Sequence, residues 1–295
     1  MSIFLDETTR VVVQGLSPTG QGLYHALRNR DYGTQVVAGT NPRRGGETIE
    51  GIPVFATVAE AVAETGATAS FISVPPAAAA GAILEAAEAG VALVVCITEF
   101  VPAKDEARAF ARLRRDFPGT RLLGPNCPGL ISPGKANIGI TAADIASPGP
   151  VGLVSRSGTV FYQAIYELTQ KGVGQTTGVG IGGDPVPGTT FIDCLAAFQA
   201  DDATRAVLMI GEIGGAEEER AAEFIASEMD KPVVAYIVGV TAPPGRKMGH
   251  AGAIVSGSKG TAAAKMAALE AAGAQVARNP SEAADLMAGV VAGLG

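Results

Sequence analysis

An alternation repeated along almost the whole chain limits what it can fold into. Short Val- and Ile-rich runs are each followed by a longer stretch with helical periodicity. In the first half the apolar runs are Arg10–Gln14, Gln35–Ala38, Ala69–Val74, Ala92–Ile97 and Arg121–Leu123. The helical stretches between them are Gln21–Arg30, Val58–Glu64, Ala77–Ala89 and Ala103–Arg115. The runs barely alternate polar with apolar, as expected of strands buried on both faces of a parallel sheet. From Gly124 to Pro150 the texture changes to Gly, Pro, Asn and Ser without a sustained period, which reads as a domain junction or a functional loop. The alternation then resumes with runs at Val151–Val154, Thr176–Val179, Ala206–Ile210, Val233–Ile237 and Gln275–Ala277. Helices are expected over Thr159–Gln170, Thr190–Gln199, Glu217–Met229, Thr261–Ala272 and Ser281–Val291. The expected fold class is α/β: two doubly wound domains in tandem, 1–124 and 125–295, which suits a chain of 295 residues.

Composition removes several function classes. A formal charge of −7 and a pI near 5.0 argue against nucleic acid as a partner. No apolar run approaches the roughly 18–20 residues that cross a bilayer, and the start, Met1-Ser2-Ile3-Phe4-Leu5-Asp6, lacks a signal-peptide pattern, so a cytoplasmic location without membrane contact is expected. The three cysteines, Cys96, Cys127 and Cys194, are far apart, and with only two histidines they form neither a disulfide framework nor a zinc spacing. No metal ligand is expected among them.

Four loops are candidates for chemistry. After the first run comes Gln14-Gly15-Leu16-Ser17-Pro18-Thr19-Gly20-Gln21-Gly22, opening into a helix. Its glycines let backbone approach a ligand, and a helix N-terminus favours phosphate. The spacing is not the dinucleotide G-x-G-x-x-G, and a tight turn without ligand is the plain alternative. The second run ends in Thr40-Asn41-Pro42-Arg43-Arg44-Gly45-Gly46. Arginines there, in place of the acid that binds an NAD ribose, suit an additional phosphate such as that of NADP or the 3′-phosphate of CoA; a solvated charge pair is the alternative. Residue chemistry thus reaches a phosphorylated adenosine ligand and leaves an NADP-dependent oxidoreductase open.

The loop Thr241–Ala253 follows the run Val233–Ile237 and contains His250, with Gly249, Ala251 and Gly252 leaving the ring accessible. A nucleophilic histidine needs one ring nitrogen free and the other held by an acceptor. Glu212, just past Ala206–Ile210, can supply that acceptor or simply charge a helix N-terminus. Ser155-Arg156-Ser157-Gly158-Thr159 offers either a second phosphate cradle or an ordinary N-cap.

Five strings in order, GPNCPG (Gly124–Gly129), SRSGT (Ser155–Thr159), GIGGDP (Gly180–Pro185), MIGEIGG (Met209–Gly215) and GHAGAI (Gly249–Ile254), resemble the alpha subunits of succinyl-CoA synthetases, the succinate–CoA ligases. The resemblance spans essentially the whole chain. It implies a Rossmann-like CoA-binding domain followed by a flavodoxin-like ligase domain. It makes His250 a transiently phosphorylated residue, Glu212 the group that orients it, and the Ser157 and Gly158 amides the phosphoryl cradle. CoA would meet Ser17, Thr19, Gly20, Gln21, Gly22, Arg44 and the Ile97-Thr98-Glu99 segment. Asn126 and Tyr162 would lie where a small dicarboxylic acid meets the thiol. The resemblance also implies a partner, a beta subunit with an ATP-grasp domain holding Mg-ATP or Mg-GTP. This chain itself carries no G-x4-G-K-[ST] loop. The implied place is the tricarboxylic acid cycle, in an αβ pair or an α2β2 heterotetramer.

The chain departs from the family at three points. Pro18 sits in a first loop that looks one residue longer, Phe100 follows Thr98-Glu99 where relatives have Gly, and Val160-Phe161 replaces Leu-Thr before Tyr162. Phe100 and Phe161 either alter the acid accepted or pack in the core. A malate–CoA or other dicarboxylate–CoA ligase subunit, or a non-catalytic CoA-binding paralogue, therefore stays open at this level.

Overall fold

The computed structural model describes residues 2–241, 250, 253 and 260–294. Its first sheet is built from β1 (Arg10–Gln14), β2 (Gln35–Thr40), β3 (Thr48–Ile49), β4 (Ile52–Phe55), β5 (Ala69–Ile72), β6 (Leu93–Cys96) and β7 (Arg121–Leu123). The strand order is β3-β4-β2-β1-β5-β6-β7. All neighbours are parallel except the short β3–β4 hairpin at the edge. Counting only the parallel strands, the order is 3-2-1-4-5-6, the Rossmann arrangement, whose switch point falls between β1 and β5. Helices α1 (Gln21–Tyr32), α2 (Val58–Thr65), α3 (Pro76–Glu88) and α4 (Ala103–Asp116) cover the two faces. The β2-to-β4 crossover carries the short strand β3 where a Rossmann unit usually has a helix.

The second sheet contains β8 (Gly129–Ser132), β9 (Ala136–Gly139), β10 (Pro148–Ser155), β11 (Gln175–Gly180), β12 (Ala206–Glu212), β13 (Val233–Val238) and β14 (Gln275–Ala277). They are ordered β14-β13-β12-β10-β11-β8-β9. Its five parallel strands run 2-1-3-4-5, the flavodoxin-like order, with the switch point between β10 and β12. Its helices are α5 (Gly158–Gln170), α6 (Phe191–Ala200), α7 (Glu217–Glu228), α8 (Ala262–Ala271) and α9 (Pro280–Gly293). Among the described residues no helix is long and apolar enough to cross a membrane.

The elements expected from apolar periodicity form with end shifts of a few residues. Thr190 and Thr261 prove to be N-caps, each accepting a backbone N–H from inside the helix it precedes, so those helices begin one residue later. The Gly124–Pro150 stretch is more than a loop. It contains β8 and β9, an antiparallel hairpin that extends the second sheet alongside β11. Gly129 and Gly139 face each other there so closely that a Cβ on either would collide with backbone of the other strand, which is why small residues without periodicity build a buried strand pair. The same hairpin docks onto the first sheet's helix α1. Asn29 Nδ2 donates to the Gly139 carbonyl at 3.2 Å, Thr34 Oγ1 to the Asn137 carbonyl at 2.8 Å, and Gly134 N–H to the Tyr32 hydroxyl at 2.8 Å.

Candidate active site

At the switch point of the first sheet, the loop after β1 runs beside the end of β5. Gly15 has φ +86°, and a Cβ there would come within 2.5 Å of the Ser73 carbonyl, so only glycine keeps the loop in place. Pro18, Thr19 and Gln21 are exposed, Ser17 and Gly20 are half-buried, and Gly22 is buried under the first turn of α1. Gly20, the N-cap of α1, offers no side-chain cap, so that helix start is left open to a ligand. Asn41 Nδ2 donates to the Leu16 carbonyl at 3.0 Å and ties the post-β2 loop to this one. Arg44 belongs to that loop and is held by Glu47 at 2.9 Å. Next along the same edge, Ile97 and Thr98 extend β6, Thr98 Oγ1 donating to the Val74 carbonyl at 2.9 Å, and Glu99 is exposed. All the expected CoA contacts therefore lie along one carboxyl edge.

Thr98 leads into the second half. The Asn126 N–H donates to the Thr98 carbonyl at 3.0 Å, and Asn126 Nδ2 donates to Asp184 Oδ1 at 2.9 Å. The Gly183 N–H donates back to the Asn126 carbonyl at 3.3 Å. His250 packs directly on Gly183, where an added Cβ would stand 2.1 Å from the imidazole Cγ. Asn126 thus spans from the edge of the first sheet to the loop beneath the histidine. Tyr162 is half-buried on α5, and burial, with the Cys127 thiol nearby, pushes its hydroxyl well above the ordinary tyrosine range.

The imidazole is held by one nitrogen. His250 Nδ1 lies 2.5 Å from Glu212 Oε2; with a carboxylate as acceptor, Nδ1 carries the proton and Nε2 keeps its lone pair. The His250 side chain is 26% exposed and Glu212 only 5%, so the acceptor is the more deeply buried partner. Glu212 is the last residue of β12, one strand from β10 at the switch point. Its other oxygen lies 3.3 Å from Arg156 Nε, a buried ion pair, while Arg156 Nη2 donates to the Asp184 carbonyl at 3.2 Å. The Glu212 hydrogen bond raises the His250 pKa above its usual 6.5, against opposing effects from burial and Arg156. The ring accordingly stays protonated, and non-nucleophilic, to higher pH than a free imidazole. Replacement by Gln removes the anionic acceptor, so in Glu212→Gln the His250 ring is expected to lose its proton at lower pH than in the wild type. An NMR titration of the imidazole in the two proteins checks the direction.

Below Glu212 lies a second ion pair. Glu218 Oε1 accepts the Glu212 N–H at 3.0 Å, and Glu218 is bonded to Lys265 on α8; neither side chain has any exposed area. The Ser155–Thr159 loop serves as an N-cap, Ser157 Oγ accepting the Val160 N–H at 3.3 Å. The Ser157 N–H itself is taken by Ser155 Oγ at 3.1 Å. The amides of that turn still without a partner among the described residues are those of Gly158 and Thr159, one residue beyond the expected pair. Gly249, Ala251, Gly252 and most of the expected GHAGAI string lie outside the described residues.

Two of the departures resolve differently. Phe161 is fully buried and packs against β11 at Gly178, so it belongs to the core. Phe100 is 83% exposed with φ +63°, a left-handed backbone that costs a non-glycine residue roughly 1–2 kcal/mol. Because the residue is largely exposed, Phe100→Gly is expected to leave unfolding free energy unchanged or raise it by up to about 1 kcal/mol, net of the unfolded-chain entropy of glycine, in chemical denaturation.

Residues 6–100 match the family described as CoA binding domain, and residues 154–275 match CoA-ligase. The alpha subunit of the ADP-forming succinate–CoA ligase of Aquifex aeolicus is 55% identical over 291 residues, covering 99% of this chain and 95% of that protein. The alpha subunit 2 of the ADP-forming succinate–CoA ligase of Archaeoglobus fulgidus is 53% identical over 292 residues, covering 99% of this chain and 100% of that protein. The chain belongs to the succinate–CoA ligase alpha-subunit family. Among solved structures, ATP citrate lyase from Methanothrix soehngenii, in complex with citrate and coenzyme A, matches with a TM-score of 0.89 and 27% identity over 99% of this chain. This chain spans about half the length, 51%, of that one. Between the two phosphorylated adenosine ligands left open by the post-β2 arginines, the CoA-binding match favours CoA over NADP. Arg156, Gly183, Asp184, Glu218 and Lys265 were missed as individuals, although Arg156, Gly183 and Asp184 sit inside strings that had already stood out.

Proposed function

We propose that this chain is the alpha subunit of an ADP-forming succinate–CoA ligase, converting succinate, CoA and ATP to succinyl-CoA, ADP and phosphate through a phosphohistidine at His250. The observation that supports it best is the ring geometry: Nδ1 is held by buried Glu212 on a side chain that is 26% exposed, beside the carboxyl edge of the first sheet. Residues 1–124 form the CoA-binding half and 125–295 the ligase half. Ser17, Thr19, Gly20, Gln21, Gly22, Arg44, Ile97, Thr98 and Glu99 hold CoA, which supplies the thiol that takes the acyl group. Their open, polar, glycine-bearing edge fits a phosphate-rich ligand.

Nε2 attacks the terminal phosphoryl group of ATP with loss of ADP, and the Glu212 carboxylate stabilises the positive charge that develops on the imidazole as the bond forms. Arg156, beside Glu212, and the free amides at the start of α5 offset the negative charge on the transferred group. Succinate, placed near Asn126 and Tyr162, then takes the phosphoryl group from Nε2 through a carboxylate oxygen, giving an acyl phosphate whose carbonyl the thiol attacks with loss of phosphate. The nucleotide, with Mg²⁺, is held by a beta subunit with an ATP-grasp domain in a cytoplasmic αβ or α2β2 assembly. Incubation of the co-purified subunits with γ-labelled ATP tests the reading: acid-labile label should map to residue 250 and be discharged by succinate with CoA. Label that maps elsewhere, or that persists when succinate and CoA are added, would overturn it.

A further inference from the structure

We propose that Glu106 and Asp184 share one proton across the junction of the two sheets, and that this acid pair positions the loop on which the His250 ring rests. Glu106 lies in the first turn of α4 and faces inward with Ala109 and Leu113; it is 3% exposed. Both of its carboxyl oxygens are buried without a donor, and so is Asp184 Oδ2, whose other oxygen accepts from Asn126. The Asp184 side chain is the hydrogen-bonding neighbour of the Glu106 carboxyl. Two buried carboxylates in contact cannot both be charged, and a buried oxygen without a donor costs about 1–3 kcal/mol. A single proton on Glu106, donated to Asp184 Oδ2, removes both penalties.

A cation is the other way to satisfy such oxygens. Among the described residues no third acid or histidine joins the pair to form a metal-binding group. The Arg156 guanidinium, beside Asp184, is directed to the Asp184 carbonyl and to Glu212. The other titratable groups around the pair are the Cys96 and Cys127 thiols, His250 and Glu212. Burial pushes Cys96 up to about 11 and Cys127 higher still, so both stay neutral over the working range. Burial, followed by the facing Asp184, pushes Glu106 up to about 8.

The pair matters because of what Asp184 holds. It anchors Asn126, which reaches Thr98 on the CoA side, and it follows Gly183, on which the imidazole lies. Loss of the proton sets two like charges against each other at this point, driving α4 away from the Gly183–Asp184 loop. Glu106 acts through Asp184 and touches no reacting atom, so it is a positioning residue.

Three measurements test this. Infrared spectra of the full chain should contain a protonated-carboxyl C=O band that titrates away near pH 8, is missing from Glu106→Gln, and moves its midpoint in Asp184→Asn. Thermal unfolding should show the sign of the linkage. Glu106 is protonated in the fold well above the unfolded value of 4.5, so the wild type should lose stability as pH rises between 4.5 and about 8. Glu106→Gln, which keeps a donor that cannot ionise, should lose less. Neither measurement needs ligase activity, so their failure is separable from failure of the proposed function. In the complex with the beta subunit, the ratio of kcat at pH 9 to that at pH 7 should be about tenfold higher in Glu106→Gln than in wild type, because one pH unit above the midpoint leaves roughly a tenth of the pair protonated. Glu106→Ala, which supplies no donor, should be impaired at both pH values. The proposal is overturned by a wild-type spectrum with no such band, by superimposable pH profiles, or by a requirement for bound metal to keep the pair intact.

Discussion

His250→Asn is expected to abolish labelling by γ-labelled ATP and to lower succinyl-CoA formation on the order of 10⁶-fold, the scale of losing a catalytic nucleophile. Asparagine can still donate its amide to Glu212, so the pocket keeps its buried hydrogen bond and the loss is confined to chemistry. Exchange of the acyl group between pre-formed succinyl phosphate and CoA does not need the imidazole as phosphoryl carrier, so that half-reaction should persist. A variant that still accepts label would show that another residue carries the phosphoryl group.

The second large effect is on stability. Lys265→Met is expected to cost about 3–5 kcal/mol, measured as the loss in urea unfolding free energy, because it strips the counter-charge from a carboxylate with no exposed area. Domains typically hold about 5–15 kcal/mol, so this variant should be marginal at ordinary temperature. Burial acts first on Glu218, raising its pKa, with Lys265 opposing; without the lysine the acid protonates or drags water inward. Either response disturbs the oxygen that accepts the Glu212 N–H at 3.0 Å, and through it the acceptor of His250. The double replacement Glu218→Leu with Lys265→Met should recover most of the stability, since a matched apolar pair avoids the desolvation cost, but not the Glu212 backbone contact. Recovery of stability without recovery of His250 labelling would separate the two roles of the pair; a loss under about 1 kcal/mol in Lys265→Met would show that the ion pair is not structural.

Both variants act on residues of different legibility. His250 and Glu212 stood out because each follows an apolar run, and runs and loop ends are local properties of the chain. Lys265 and Glu218 look like ordinary polar positions in helices; nothing within a few residues of either announces that α7 and α8 bring them together with every atom buried. Glu106 is similar, reading as a first-turn acid that favours the helix dipole, whereas its neighbour across the junction is 78 positions away in the chain. The β8–β9 hairpin escaped for another reason: glycines that permit close strand contact erase the apolar pattern by which strands are read.

Local chemistry along the chain determined the strand–helix alternation and the two doubly wound halves, and it singled out the loops and the histidine on which the proposed function rests. Those depend on periodicity and on residue types within a few positions of one another. Only the tertiary structure decided which nitrogen of that histidine is held by Glu212, that Gly183 lies beneath it, that Phe161 is core while Phe100 stands exposed, and which buried charges meet. These follow from distances between residues far apart in sequence, set by how the two sheets pack rather than by any local pattern.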